Sequence, residues 1–122
     1  MNNPVGWFEI YVQDMARAKR FYGQVFNTEF TRIRGDGVDL EAFPMQPNGR
    51  GITGALIKME GFPSGQNSVL VYFICEDCAI QAAKAVDAGG QLVKAKTSIG
   101  MYGHFALVRD SEGNMIGLHS EH

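Results

Sequence analysis

The sequence has no basic excess, few cysteines and no long apolar run, and each of these absences excludes a class of protein. Eleven Lys and Arg residues stand against thirteen Asp and Glu, a formal charge of −2. We therefore expect no nucleic-acid partner, since nothing would neutralise the phosphates. No segment approaches the roughly 18 apolar residues of a membrane span, so we expect no membrane partner. Two cysteines cannot form a disulfide scaffold.

The first residues, Met1–Pro4, also lack the basic and apolar regions of a signal peptide, and we expect a cytoplasmic protein. The sequence does contain 45% apolar and 20% charged residues over 122 positions. This composition and length predict one folded domain with its own core. Fifteen glycines against four prolines favour tight turns between short elements.

The first half of the chain predicts a strand, a helix and three further strands. These are expected at residues 6–12, 14–27, 28–34, 38–46 and 51–59. Asp14 is a suitable N-cap for the amphipathic helix. Gly35-Asp36-Gly37 is typical of a hairpin turn, and Pro44 indicates that the strand at 38–46 is an edge strand or contains a bulge.

The second half repeats this order after a stretch of linker composition at residues 61–67. Its elements are expected at residues 68–75, 77–88, 91–95, 104–109 and 114–120. Sliding the chain so that Asp14 falls on Asp77 also brings Trp7 onto Leu70. We predict an α+β fold in a single domain, residues 1–122, with two tandem βαβββ modules at about 5–60 and 68–120. The modules would form a curved sheet around a cavity.

Three segments carry a family resemblance that covers essentially the whole chain. The segment EIYVQDMARAKRFY (9–22) resembles the opening strand and helix of the glyoxalase, bleomycin-resistance and extradiol-dioxygenase superfamily, the vicinal oxygen chelate fold. The segment DSEGNMIGLHS (110–120) resembles its last hairpin, and residues 71–90 resemble its second module. Within the family, the chain most resembles small bacterial proteins related to lactoylglutathione lyase.

The resemblance also implies where a metal would bind. Family enzymes hold a divalent metal with His or Glu from the first and last strand of each module. The matching positions here are Trp7, Leu70 and Gly117, and residues 51–59 offer only Lys58 as an ionisable group. Indole, leucine and glycine side chains do not coordinate such metals. We therefore expect no metal and no cofactor.

Strand alternation predicts which side chains face the cavity. If the former ligand positions face inward, their neighbours two residues away do so as well. The expected ligand-binding residues are Trp7, Glu9, Tyr11, Leu70, Tyr72, Met115, Gly117 and His119. Glu9 and His119 are the candidate catalytic residues, as general acid or base. The alternative is that Glu9 is paired at a strand end and that His119 lies at an open rim.

Two further groups admit more than one interpretation. Cys75 and Cys78 form a CxxC at a helix start, which can indicate redox chemistry, but buried small residues are the preferred interpretation. His104 could join Glu9 and His119 in a displaced two-His-one-carboxylate metal site.

The leading functional hypothesis is a glyoxalase-like protein that binds a small, partly apolar molecule in the cavity without the family's metal, as a lyase or isomerase using Glu9. The alternative is a non-catalytic sequestering protein of the bleomycin-resistance type. A third hypothesis is a metal-dependent lyase or dioxygenase with atypical ligands. The resemblance further implies a homodimer, since family members often pair their modules across a dimer, and the apolar helices and the strand containing Pro44 could support such a two-fold contact.

Overall fold

The computed structural model describes residues 1–34, 38–49, 51–65, 69–111 and 113–122. The chain divides into two compact units. We call residues Trp7–Val69 the first unit, and Met1–Gly6 together with Leu70–His122 the second unit. The predicted turn at 35–37 and part of the predicted linker lie outside the described residues. The predicted modules at about 5–60 and 68–120 within one domain stay a prediction.

The first unit combines one helix with strands paired side by side. Its elements are β1 (Val5–Tyr11, here from Trp7), α1 (Met15–Phe26), β2 (Thr31–Arg34), β3 (Asp39–Ala42) and β4 (Gly54–Lys58). The strands are hydrogen-bonded in the order β2-β3-β4-β1. β1 runs parallel to β4, with Glu9 opposite Ala55, whereas β3 is antiparallel to both its neighbours.

Helix α1 begins and ends where the sequence predicts. The Asp14 carboxylate accepts a hydrogen bond of 3.0 Å from the backbone N–H of Arg17 and satisfies a donor that the first turn leaves unpaired. Asn27 ends the helix in the left-handed conformation at φ 51°, which asparagine tolerates better than most residues. The helix packs on one face of the sheet, where Lys19 Nζ lies 3.0 Å from Glu41 Oε1.

The second unit has the same order of elements. They are β5 (Val69–Ile74, here from Leu70), α2 (Cys78–Asp87), β6 (Gln91–Ser98), β7 (His104–Arg109) and β8 (Met115–Ser120), with a short 3-10 helix at Gly100–Tyr102. The strands pair in the order β5-β8-β7-β6, and β5 is parallel to β8. Asp77 caps α2 through the N–H of Ala79 at 3.0 Å.

A compact core joins α2 to one face of this second sheet. Its buried members are Cys78, Ala82, Ala106, Val108 and Leu118. The small residues on α2 let the helix lie close to the strands. The N-terminal segment completes the unit, because the Pro4 carbonyl accepts a hydrogen bond of 2.7 Å from the N–H of Ile74.

The structure corrects two sequence predictions. The strand predicted at 38–46 ends at Ala42, before Pro44, and β3 is an interior strand with β2 outside it. Proline has no N–H to donate, so the regular ladder stops ahead of it. The strand predicted at 91–95 continues to Ser98, because Thr97 and Ser98 pair with Phe105 and His104.

The α+β class and the repeated βαβββ order are confirmed. In the part of the chain that the structure describes, no helix is long and apolar enough to cross a membrane.

Candidate functional site

In the first unit, one face of the sheet is left uncovered by the helix. Helix α1 lies against the face that carries Glu41 and Phe43, since Lys19 pairs with the former and the Tyr22 ring lies 5.9 Å from the latter. Residues that are aligned on adjacent strands point to the same face. Glu9 is aligned with Ala55 on β4, and Ala55 with Ala42 on β3, which points away from its neighbours Glu41 and Phe43. Glu9 therefore lies on the helix-free face, and alternation places Trp7 and Tyr11 beside it.

These three side chains form a hydrogen-bonded cluster. Glu9 is only 9% exposed. Its Oε1 accepts a hydrogen bond of 2.8 Å from the Tyr11 hydroxyl, and its Oε2 accepts one of 3.2 Å from Trp7 Nε1. Both donors are neutral groups, and buried polar groups are stable only when they are paired in this way. The predicted set Trp7, Glu9 and Tyr11 is thus brought together.

The electrostatics of this cluster keep Tyr11 protonated. Burial raises the pKa of the Tyr11 phenol well above its ordinary value of 10.0, and the negative charge of Glu9 raises this pKa further. The hydroxyl therefore remains a donor to the carboxylate at every physiological pH. The Phe62 ring stacks on the Tyr11 ring at 5.1 Å and closes one side of the cluster.

The second unit also has a helix-free face, which carries the other predicted site residues. Leu118 and Ala106 face α2 in the core, so the alternate residues Met115, Gly117 and His119 point to the other side. Tyr72 is aligned with Gly117, and Ile74 with His119, and both therefore share that face. Leu70, two residues before Tyr72, is 2% exposed and lies on this face as well.

Tyr72 occupies the space that a side chain at position 117 would need. A Cβ atom on Gly117 would lie 2.7 Å from Tyr72 Cγ and closer still to Cδ1 and Cε1. The ring consequently lies across β8 at the one residue that has no side chain there.

His119 is held by the 3-10 turn. Its Nε2 lies 2.6 Å from the carbonyl oxygen of Tyr102. A carbonyl can only accept, so Nε2 carries the hydrogen, and in the neutral imidazole Nδ1 is the basic nitrogen. Any proton transfer by His119 would pass through Nδ1.

With this geometry in view, comparison with known proteins decides the family. The sequence matches the model of the Glyoxalase/Bleomycin resistance protein/Dioxygenase superfamily over residues 5–118. The chain belongs to this superfamily. No curated protein matches it significantly.

Solved structures agree with this membership of the glyoxalase superfamily. The methylmalonyl-CoA epimerase of Mycobacterium tuberculosis has a TM-score of 0.72 and 13% identity, covering 98% of this chain and 88% of that one. A hypothetical protein of Bacillus halodurans has a TM-score of 0.71 and 10% identity, with coverages of 97% and 94%. A variant of Streptomyces coelicolor methylmalonyl-CoA epimerase in complex with 2-nitronate-propionyl-CoA has a TM-score of 0.69 and 16% identity. The match covers 97% of this chain and 96% of that one. At such identities the likeness shows the fold alone.

The donor set of this glyoxalase-superfamily chain does not fit the divalent metal that its resemblance implies. The indole of Trp7 is engaged with Glu9, Leu70 is apolar, and the space at Gly117 is filled by Tyr72. Strand β4 carries no His or Glu. Among the described residues, no three His, Cys, Asp or Glu side chains are grouped so as to hold a metal ion.

The displaced set with His104 is ruled out by strand register. His104 is aligned with Ser120, and Phe105 with His119. His104 therefore lies on the α2 face and His119 on the helix-free face, so the two imidazoles cannot bind one ion. On that α2 face the Nδ1 atom of His104 is buried and has no hydrogen-bond partner among the described residues.

The two cysteines lie at the junction of β5 and α2. Cys75 follows the end of β5, and Cys78 is the first residue of α2 and is fully buried in the core. Burial raises the pKa of the Cys75 thiol, and the neighbouring Cys78 raises this pKa further. A raised thiol pKa disfavours the reactive thiolate and so argues against redox chemistry. Cys78 fits the interpretation as a buried small residue, whereas Cys75 is only partly buried.

Two groups at the site, Phe62 and the carbonyl of Tyr102, are not among the residues that the sequence predicts. Phe62 falls in the predicted linker, although an aromatic residue between Gly61 and Pro63 is unusual for a solvated connector. It also borders an open groove of about 490 Å³. The groove is lined by Gln13, Lys58, Met59, Glu60, Gly61, Phe62 and Pro63.

Proposed function

We propose that this protein catalyses proton transfer at a carbon next to a carbonyl group in a small, partly apolar molecule, without the superfamily's divalent metal. The observation that carries the proposal is the buried Glu9 carboxylate, held between two neutral donors on a helix-free face. It acts as an isomerase or lyase in which Glu9 of the first unit is the general base. The second unit has its own candidate acid or base, Nδ1 of His119.

The proposed step balances within the site. The Glu9 carboxylate removes the proton, the C–H electron pair stays on the substrate as an enolate, and protonated Glu9 returns the proton to the same carbon or to a neighbouring atom. Tyr11 and Trp7 fix the rotamer of Glu9, and positioning of this kind contributes strongly to catalysis. Burial of the carboxylate excludes water that would compete for the proton.

The fold neighbours suggest the first substrate to test. Two of them are methylmalonyl-CoA epimerases, and an epimerase of this kind inverts a carbon beside a thioester carbonyl. We choose methylmalonyl-CoA for this reason, as a representative of small carbon acids.

The experiment measures exchange of the proton at C2 of methylmalonyl-CoA for deuterium in D₂O by mass spectrometry. Wild-type protein should exchange it, and Glu9→Gln should lower the exchange rate by about 10²–10⁴-fold, the usual contribution of a general base. Circular dichroism should show that the variant is folded.

Glu41→Gln is the matched control, because Glu41 is also a buried glutamate of the first unit but pairs with Lys19 on the helix-covered face. It should lower stability and leave exchange unchanged. Equal exchange by wild type and Glu9→Gln would contradict the role of Glu9.

One observation favours the sequestering alternative. Both oxygens of Glu9 already accept hydrogen bonds, and the rings of Trp7, Tyr11 and Phe62 surround this part of the site. Such a surface can hold a ligand without proton transfer. Calorimetric binding of methylmalonyl-CoA or bleomycin without any exchange would support this alternative.

The proposal also includes a homodimer formed through α1, whose Phe21, Val25 and Phe26 side chains are all exposed. A cytoplasmic location and a relation to lactoylglutathione lyase stay predictions from the sequence.

A further inference from the structure

Gly117 and Tyr72 are paired on adjacent strands of the second unit. Gly117 is buried, and its missing side chain leaves the space that the Tyr72 ring occupies. Because Cγ is among the atoms that a Cβ at 117 would overlap, a small adjustment at the end of the ring cannot relieve the clash. The whole ring has to leave by rotation about χ1.

The face around this pair is mostly apolar. Leu107 is aligned with Gly117 on β7, and Phe105 with His119. Leu70 and Met115 lie on the same face, which gives it an aliphatic and aromatic character with one imidazole.

We propose that Gly117 is a specificity-determining position, because it allows Tyr72 to lie flat on β8 and so sets the height available to the apolar part of a ligand. A residue with a Cβ raises Tyr72 from the strand and shortens that space. Gly117 acts through Tyr72, and the inference rests on the proposed function in taking this helix-free face as ligand-binding.

The pairing can be tested by a double-mutant cycle with the amphipathic anion 1-anilinonaphthalene-8-sulfonate as the probe. Gly117→Ala should weaken probe binding by about tenfold, in line with the usual penalty for overpacking. In a Tyr72→Ala background the same change should have no effect on binding, since no ring remains to be displaced. Gly23→Ala, on helix α1, is the control and should bind like wild type.

A second readout does not depend on any ligand. The ring protons of Tyr72 should show nuclear Overhauser contacts to the α-protons of Gly117 in wild-type protein, and the corresponding contact should be lost in Gly117→Ala. Loss of binding with an unchanged ring contact would contradict the mechanism.

The outcomes separate this inference from the proposed function. If the wild type binds the probe but Gly117→Ala binds it equally, or if its effect persists in Tyr72→Ala, the role of Gly117 is wrong, whatever Glu9 does. If binding follows the cycle but Glu9→Gln has no effect on exchange, proton transfer is wrong and the role of Gly117 stands. A wild type that does not bind the probe overturns this inference.

Discussion

Two glutamates of the first unit are buried, and the contrast between them separates structure from function. Glu41 pairs with Lys19 at 3.0 Å and Arg32 at 3.8 Å, on the face covered by α1. Glu9 accepts hydrogen bonds from Tyr11 and Trp7 on the helix-free face. Glu41 is therefore held by cations beside the helix, whereas Glu9 is oriented by two aromatic donors on the face that the proposed function uses.

At the residue scale we predict that Tyr11→Phe destabilises the fold in a pH-dependent way. At neutral pH, loss of the hydrogen bond to the carboxylate should cost about 1.5–3 kcal/mol, the range for bonds to charged groups. Because the folded-state pKa of Tyr11 is raised above the ordinary value of 10.0, the stability linked to its protonation is fully present below pH 10. It is lost as pH rises above 10 toward the raised folded-state pKa. Wild type should lose stability more steeply than Tyr11→Phe above about pH 10.

Urea unfolding of both proteins between pH 7 and 11 measures this difference. Tyr22→Phe is the control, since Tyr22 lies on the α1 side among Phe21, Phe26 and Phe43. Parallel curves for wild type and Tyr11→Phe above pH 10 would show that Tyr11 titrates normally in the folded protein.

The residues of the Glu9 cluster could be foreseen because they belong to one strand. Alternation alone places Trp7, Glu9 and Tyr11 on one face. The contacts of Phe62 with Tyr11, and of Tyr102 with His119, could not be foreseen, because both partners come from connecting segments. Their positions depend on turns such as the one at Gly61, where φ is 86°, and not on any periodic pattern.

At the element scale, both helices depend on an aspartate cap, and we predict an acid-sensitive contribution from each. The hydrogen bond from the Arg17 N–H lowers the pKa of Asp14. The pKa of Asp77 is lowered most by the hydrogen bond from Lys96 at 2.9 Å, and next by the hydrogen bond from the Ala79 N–H. A lowered folded-state pKa adds stability above the ordinary value of 3.8, and this stability is lost as pH falls through the lowered value.

Thermal unfolding should therefore show lower midpoints for Asp14→Ala and Asp77→Ala at pH 7, with the larger effect at Asp77, which also holds Lys96. Asn at either position keeps part of the cap. The gap between wild type and Asp77→Asn should narrow as pH falls below 3.8 and the carboxylate becomes protonated. A gap that stays constant as pH falls below 3.8 would mean that the charge of Asp77 adds nothing.

Helices were predicted closely and strand ends were not, for a physical reason. A cap and an apolar stripe are local signals, and Asp14 and Asp77 show both. A strand continues only as far as its partner does, and β6 reaches Ser98 because β7 pairs with it there. That partner is distant in sequence, so no window around 91–98 contains the information.

At the scale of the whole molecule we predict a homodimer that depends on α1. Phe21, Val25 and Phe26 are each more than half exposed, and none of the twelve residues of α1 is buried. Such an apolar surface is unusual for a monomer. Light scattering at micromolar concentration should give a mass twice the 13.4 kDa of one chain. For Val25→Asp the measured mass should fall to that of one chain.

Ile80→Glu is the matched control, since Ile80 is an exposed apolar residue on the other helix. It should leave the dimer intact. A monomeric wild type would contradict the prediction. If only Ile80→Glu dissociated the dimer, the interface would lie on α2 and not on α1.

The attachment of Met1–Gly6 to the second unit bears on how the protein is made. Pro4 bonds to Ile74, and Gly6 packs against the Ile74 side chain. On the ribosome the first unit has all its residues once Val69 has emerged, whereas Met1–Gly6 can pair only after Ile74 in β5 has emerged as well. We expect the first unit to fold during synthesis and Met1–Gly6 to pair with β5 afterwards, since contacts between distant segments form slowly.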